Sequence, residues 1–273
     1  VLIKVRGTLP NLRPAERRVA EAVLADPAGI SENSITAVAR RCQTSETTVL
    51  RFCRAIGLAG YPELRIALAR AAQFEEVDHP AGAPMTGDIT ATDTLADVVA
   101  KITHADARAV TDTAAVLDLD VLQTAIGAIT MASRVDIYGI GASALVGEYL
   151  HQRLHRIGLV SFAWFEGHLA VDSAGLLGPG DVALGISHTG TTIDMIDALR
   201  VARKRGATTI SVTNYEMSPI ATVSDLLLTT AARETTFSAG AMSSRIAQFA
   251  LIDCLFAGIA QQSSDRVVES SPF

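Results

Sequence analysis

A chain of 273 residues, 49% hydrophobic and 19% charged, can bury a sizeable core in two domains and carries no disordered bias. It shows no basic-then-apolar leader with a cleavage site and no run of about 18 apolar residues, so the sequence predicts neither a signal peptide nor a membrane span. Three cysteines without metal-type spacing exclude a disulfide framework and read as core thiols, and the expected location is cytoplasmic.

Charge is unevenly spread. Residues 1–73 hold 11 Lys+Arg against 6 Asp+Glu, a net of +5, while residues 74–273 hold 12 against 23, a net of −11. A basic small piece on an acidic larger one suggests a polyanion-binding module on a soluble body.

The first piece reads as helical throughout. Pro14 suits the first turn of a helix with Ala15, Val19, Ala22 and Val23 on one face, and Asp26-Pro27 is expected to stop it. Ser34 can cap a second helix carrying Ile35, Val38, Ala39 and Cys42 at i, i+3, i+4 and i+7. After a break at "QTS", Val49, Phe52, Cys53 and Ile56 repeat that spacing. "GLAGY" ends this third helix, and Pro62 opens a last one toward Gln73. Residues 74–93, rich in Gly, Pro, Asp and Thr, read as a linker.

Beyond it, helices alternate with short β-branched strands. A helix over "DLDVLQTAIGAITMAS" leads into the strand "RVDIYGIG", then the helix "SALVGEYLHQRLHRIG" and the strand "LVSFA". Three more strands, "DVALGIS", "TTISVTN" and "DLLLTT", follow, the first two separated by the helix "IDMIDALRVARKRGA". The apolar helix "SSRIAQFALIDCLFAGIAQ" closes the chain. This alternation predicts a five-stranded parallel sheet with helices on both faces.

Two places carry candidate chemistry. On the third helix Thr47, Arg51 and Arg54 share the face opposite the apolar one, behind a Ser45 N-cap and with Thr48 in the first turn. Hydroxyls at a helix start followed by arginines one and two turns on suit a major groove, with Arg40 and Arg41 flanking the backbone. Glu46 is a negative charge near phosphate, though it can accept from a cytosine amino group. A small bundle with a solvated basic face is the plain alternative.

The second place is a pair of loops. "GIGASA" (139–144) follows the first strand, with Gly141 for a tight turn and Ser143 near a helix start. "SHTGTT" (187–192) follows the third strand and places Ser187, Thr189, Thr191 and Thr192 around Gly190, with His188 beside them. In a sheet of order 2-1-3-4-5 both loops face one crevice at the switch point, which suits a phosphorylated small molecule. Ordinary helix capping is the alternative for each loop alone. "GIGASA" also fits a dinucleotide fingerprint, for which Glu166 could supply the ribose partner, but that leaves "SHTGTT" unexplained.

The string "LRPAERRVAEAVLADP…SITAVARRCQTSETTVLRFCRAIGLAGYPELRIALAR" resembles the helix-turn-helix domain of RpiR/MurR-type bacterial transcription regulators. "VDIYGIGASA", "LLGPGDVALGISHTGTTIDMIDAL", "SVTN" and "SSRIAQFALID" resemble the sugar isomerase (SIS) domain those regulators carry. The resemblance implies an all-α helix-turn-helix domain over 1–73, a linker over 74–93 and an α/β SIS domain over 94–273 of flavodoxin-like strand order. It implies operator DNA and a sugar-phosphate effector as partners, a homodimer or tetramer, no cofactor and no membrane. The motif would run from Ile35 to Arg54, with Glu46–Ile56 as the recognition helix. DNA contacts would come from Arg40, Arg41, Ser45, Glu46, Thr47, Thr48, Arg51 and Arg54. Effector contacts would come from Gly141, Ser143, Ser187, His188, Thr189, Gly190 and Thr192, with Glu234 on a ligand-side loop. Gln43 stands where many such turns have Gly, and Thr189 where SIS motifs often have Ser. SIS domains also occur in aldose–ketose isomerases, for which Glu148, His168 and Glu234 are the acid–base candidates; a regulator that also binds NAD is a third alternative.

Overall fold

A computed structural model describes residues 1–9, 12–77, 89–233 and 242–263. The chain divides into two compact units, Val1–Pro84 and Met85–Phe273.

The first unit is helical: α1 (Leu2–Thr8), α2 (Pro14–Ala25), α3 (Pro27–Glu32), α4 (Ile35–Arg41), α5 (Glu46–Ala55) and α6 (Tyr61–Val77). Its core gathers Val5, Val19, Val23, Ile30, Val38, Val49, Phe52, Ile56, Leu64 and Leu68. Pro27 ends α2 as expected but also starts α3, because Asp26 accepts from the Gly29 N–H and Pro needs no N–H partner at a first helical position. Tyr61 donates its hydroxyl to the Ile30 and Asn33 carbonyls, at 3.0 and 2.8 Å, and so fastens α6 to α3. Helix α6 continues past Gln73 to Val77.

The turn between α4 and α5 has a feature of its own. Gln43 sits at φ 49, in the left-handed region, where the corresponding place after α5 is taken by Gly57 at φ 77. The Gln43 N–H reaches the Arg40 carbonyl and the Thr44 N–H the Ala39 carbonyl, a Schellman ending. Arg18, from α2, clamps it by donating to the Cys42 and Gln43 carbonyls, both at 3.0 Å. A side chain at positive φ costs roughly 1–2 kcal/mol, offset in part by the greater unfolded-state freedom of Gly. Gln43→Gly is therefore expected to stabilise the helical unit by about 0.5–1 kcal/mol, seen as a higher urea midpoint. Gln43→Ala, which keeps the strain, should leave the midpoint near wild type.

The second unit comprises α7 (Leu95–Val116), α8 (Leu119–Thr130), β1 (Val135–Gly139), α9 (Ala142–Arg156), β2 (Ser161–Trp164), α10 (Gly167–Ala174), β3 (Val182–Ile186), α11 (Ile193–Arg205), β4 (Thr208–Thr213), a 3₁₀ turn (Pro219–Val223), β5 (Leu226–Thr229) and α12 (Met242–Gln262). The sheet order is β2-β1-β3-β4-β5, with every pairing parallel, as the alternating pattern predicts. Strands β1 and β3 are buried at every residue, as central parallel strands covered on both faces must be. Helices α8, α9 and α12 cover one face through Leu122, Ile126, Leu150, Leu154, Leu251 and Leu255. Helices α10 and α11 and the 3₁₀ turn cover the other through Ala170, Met195, Leu199 and Ile220.

Helix α12 has the length and hydropathy of a membrane span, yet its Leu251, Ile252, Leu255 and Ile259 lie in the sheet's core. Cys42 and Cys53 are buried, and burial pushes the Cys53 thiol up to about 11, which keeps it protonated and inert. Cys254 departs from the core-thiol expectation: it lies on the solvent side of α12, next to Asp253, and is exposed.

Candidate functional sites: a reading helix and a hydroxyl-lined crevice

In the helical unit the sequence-predicted face forms, and several of its members also hold bonds within the unit. Thr47, Arg51, Arg54 and Arg40 are exposed. Ser45 caps α5 by accepting from the Thr48 N–H at 3.3 Å, and the two hydroxyls lie 3.1 Å apart, so Ser45 and Thr48 shape the helix start. Arg41 donates to Asp26 at 2.7 Å, and that bond, followed by the Gly29 N–H, holds the Asp26 carboxyl below its usual range. Glu46 accepts a 2.6 Å hydrogen bond from the Thr36 hydroxyl on α4. The Arg18 clamp on the turn was missed from sequence, because it joins residues 24 and 25 positions apart.

In the α/β unit, β1 and β3 end side by side and both candidate loops leave from their carboxyl ends. Gly141 has φ 61 and ψ −128, a conformation only Gly adopts readily, and lets the chain turn directly into α9. Ser143 follows in the first turn, buried. After β3, the Ser187 hydroxyl accepts from the Gly190 N–H at 3.2 Å and lies 3.0 Å from the Thr192 hydroxyl. Thr189 and Thr191 are exposed, with their hydroxyls 2.8 Å apart.

His188 is buried, not an open loop histidine. Its carbonyl accepts from Thr213 Oγ1 at 3.1 Å and from the Asn214 N–H at 3.0 Å, and its ring stands edge-on to Tyr215. Asn214 further accepts from Thr230 Oγ1 and the Ala232 N–H and donates to the Ala232 carbonyl. It thereby ties the ends of β4 and β5 to the loop after β3. The only sequence sign of this role was its place at the end of "SVTN".

The two helix starts at this crevice share one trait. Neither α9 nor α11 receives a side-chain cap bond, a trait shared with α1 and α2, whereas α4, α5, α7, α8 and α10 each do. At α9 the Ser143 and Ala144 N–H groups turn back to the Ile140 and Gly141 carbonyls, at 3.3 and 3.1 Å. Uncapped first-turn N–H groups carry the positive end of the helix dipole and attract an anion. Together with Ser143, Ser187 and Thr192, this arrangement can hold a compact polyoxygen anion without any Lys or Arg in the loop.

Two of the three acid–base candidates lie in the described residues, on opposite sides of the sheet. Glu148 accepts from Gln152 along α9, while His168 is exposed on α10, across the sheet. Glu166 caps α10 by accepting from the Leu169 N–H at 3.0 Å, and the Leu169 and His168 N–H groups hold its carboxyl below its usual range. Its carboxylate is thus occupied by the helix that a ribose partner would have to leave. Glu234 lies outside the described residues.

A helix-turn-helix unit joined to a SIS-type sheet defines a transcription regulator, and the comparisons agree. Residues 1–75 match the helix-turn-helix domain of the rpiR family, and residues 128–258 match the SIS domain. An uncharacterised HTH-type transcriptional regulator of Caldanaerobacter subterraneus is 38% identical over 270 residues, covering 98% of this chain and 93% of the relative. The solved Vibrio vulnificus NanR protein complexed with ManNAc-6P is 29% identical, with a TM-score of 0.59 over 98% of this chain and 95% of that one. A bifunctional protein glk of Paraburkholderia xenovorans is 31% identical over 267 residues, which are 95% of this chain but 40% of that protein. The chain belongs to the RpiR family of helix-turn-helix transcription regulators carrying a SIS domain.

Proposed function

We propose that this regulator binds a phosphorylated sugar in the crevice between the loops after β1 and β3, and that the bound sugar modulates operator binding by α5. The observation that carries the reading is the pair of uncapped helix starts flanked by Ser143, Ser187 and Thr192. The NanR relative complexed with ManNAc-6P supports a sugar phosphate as the ligand class. The phosphate would rest on the N–H groups at the starts of α9 and α11 and on the three hydroxyls, with Gly141, His188, Thr189 and Gly190 shaping the loops around it. Thr47, Arg51 and Arg54 would meet base edges and phosphates, and Arg40 the backbone. In a cytoplasmic homodimer or tetramer, effector binding would bias the spacing of two reading helices against operator half-sites. The protein would sense without turnover, with Glu148 and His168 on helices that cover opposite faces of the sheet.

The test is thermal unfolding of the full chain with ManNAc-6P, other hexose phosphates, the unphosphorylated sugars and inorganic phosphate. A sugar phosphate at about 100 times its Kd should stabilise the fold by about 2.7 kcal/mol, and the unphosphorylated sugar should not. Ser187→Ala should weaken that effector about tenfold or more, by removing a hydroxyl donor to a charged oxygen. Arg51→Ala should abolish sequence-selective DNA binding while leaving the effector shift intact. No shift with any phosphorylated sugar would sink the sensing role, and turnover of one would return the isomerase reading.

A further inference from the structure

Helix α5 offers Thr47, Arg51 and Arg54 to solvent, but its first residue is held differently. Glu46 is exposed, and its Oε1 accepts a 2.6 Å hydrogen bond from Thr36 Oγ1. Thr36 lies in the first turn of α4 and Glu46 in the first turn of α5, so the bond ties the starts of the two helices together. No described residue engages the other carboxylate oxygen, Oε2.

An exposed Glu beside a phosphate-binding surface is unfavourable on charge alone and would ordinarily swing away on its flexible stem. Here the positive end of the α5 dipole favours the carboxylate, and Thr36 fixes its direction. The outcome is a fixed, acceptor-only group at the end of the helix that meets base edges. In the major groove guanine shows two acceptors and thymine shows an acceptor and a methyl group, so both repel or ignore a carboxylate. Adenine pairs its amino donor with the N7 acceptor, which opposes a second negative oxygen. Cytosine alone presents an amino donor with no acceptor beside it on the same base.

We infer that Glu46, aimed by Thr36, is a specificity-determining residue that selects cytosine at one position of each half-site. This rests on the proposed reading role of α5. Arg51 and Arg54 then supply attraction, and Glu46 supplies discrimination by excluding guanine and thymine where it stands. Thr36 acts as a positioning residue, since it reaches the base only through Glu46.

The test is to expose the full chain to a randomised double-stranded oligonucleotide library and sequence the bound fraction. Wild type should enrich cytosine at one position per half-site. Glu46→Gln keeps the size and the Thr36 bond to Oε1 but puts an amide donor where Oε2 stood, so the cytosine enrichment at that position should fall by about fivefold or more and the acceptor-bearing guanine should gain there. Thr36→Val should blunt the cytosine preference there and leave the other positions unchanged. If Glu46→Gln enriches the same sequences at every position while Arg51→Ala abolishes enrichment, Glu46 is not a reader and the inference falls alone. If Arg51→Ala leaves enrichment untouched, the assignment of α5 falls and takes this inference with it.

Discussion

Replacing Asp136 with Ala is expected to lower the stability of the α/β unit by about 3–5 kcal/mol, the range found when one partner of a buried ion pair is removed. Asp136 lies in β1 and is fully buried. Its Oδ1 takes a bond from Arg134 Nε at 2.7 Å. Its Oδ2 takes others from Ser173 Oγ at 2.6 Å, Trp164 Nε1 at 3.0 Å, Arg134 Nη2 at 3.1 Å and Tyr138 at 3.3 Å. The Asp136 bond pushes the Arg134 pKa up, while burial, with the neighbouring carboxylate, pushes the Tyr138 hydroxyl up. Truncating Asp136 therefore orphans donors on β1, β2 and α10 at once, and the Arg134 charge loses its counterion. Asp136→Asn keeps one acceptor oxygen and should cost less. The double change Arg134→Ala with Asp136→Ala should cost less than the sum of the singles, because it removes the stranded charge as well. Urea unfolding of Asp136→Ala, Asp136→Asn, Arg134→Ala and the double variant decides the matter; strictly additive losses, or a loss under ~1 kcal/mol for Asp136→Ala, would show that the network is dispensable. The exposed pair Arg200–Asp197 is the contrasting control, where either truncation should cost under ~1 kcal/mol.

That network also illustrates what the sequence concealed. The alternation of helices and strands, the order of the sheet and the two crevice loops were all legible, because each depends on local pattern: apolar period, Gly at turns, hydroxyls beside helix starts. Asp136 lay unnoticed inside an apolar strand, since its partners Trp164 and Ser173 arrive from 28 and 37 residues away. Helix α7 was also missed. Its inward contacts fall on small residues such as Ala109 and Thr113, so its apolar stripe is weak against the α12 helix it packs on. Helix α3 was hidden by reading Pro27 only as a stop. At the candidate sites, residue types were readable but commitments were not. Arg41 also bonds Asp26, 15 residues earlier, a partner that no local spacing announces. The crevice's support by Thr213 and Asn214 depends on the β3–β4 pairing, which no local spacing announces.

Gly190→Ala is expected to cost about 2–5 kcal/mol and to abolish any sugar-phosphate-induced thermal shift. Gly190 sits at φ 64, where a Cβ costs roughly 1–2 kcal/mol. The space is also taken: an added Cβ would stand 2.1 Å from Ser218 Oγ, 2.5 Å from Ser218 Cβ and 2.9 Å from Thr213 Oγ1. Rotating the Ser218 hydroxyl removes the first contact but not the second, and Ser218 is itself buried at the start of the 3₁₀ turn. Overpacking of this kind costs a further ~1–3 kcal/mol. The loop cannot simply lift away, because the Gly190 N–H is bound by Ser187 and its carbonyl accepts from the Ile220 N–H at 3.0 Å. Relief would have to come by breaking one of those bonds, which would move the Ser187 and Thr192 hydroxyls off the proposed anion site. Pairing Gly190→Ala with Ser218→Gly removes both Ser218 contacts and leaves the backbone cost and the Thr213 approach, so the double variant should recover at least 1 kcal/mol of the loss. Recovery of the thermal shift in the double variant would locate the defect in the Ser218 clash. A Gly190→Ala protein with wild-type stability and a wild-type shift would mean that the loop after β3 is not held as tightly as its contacts require.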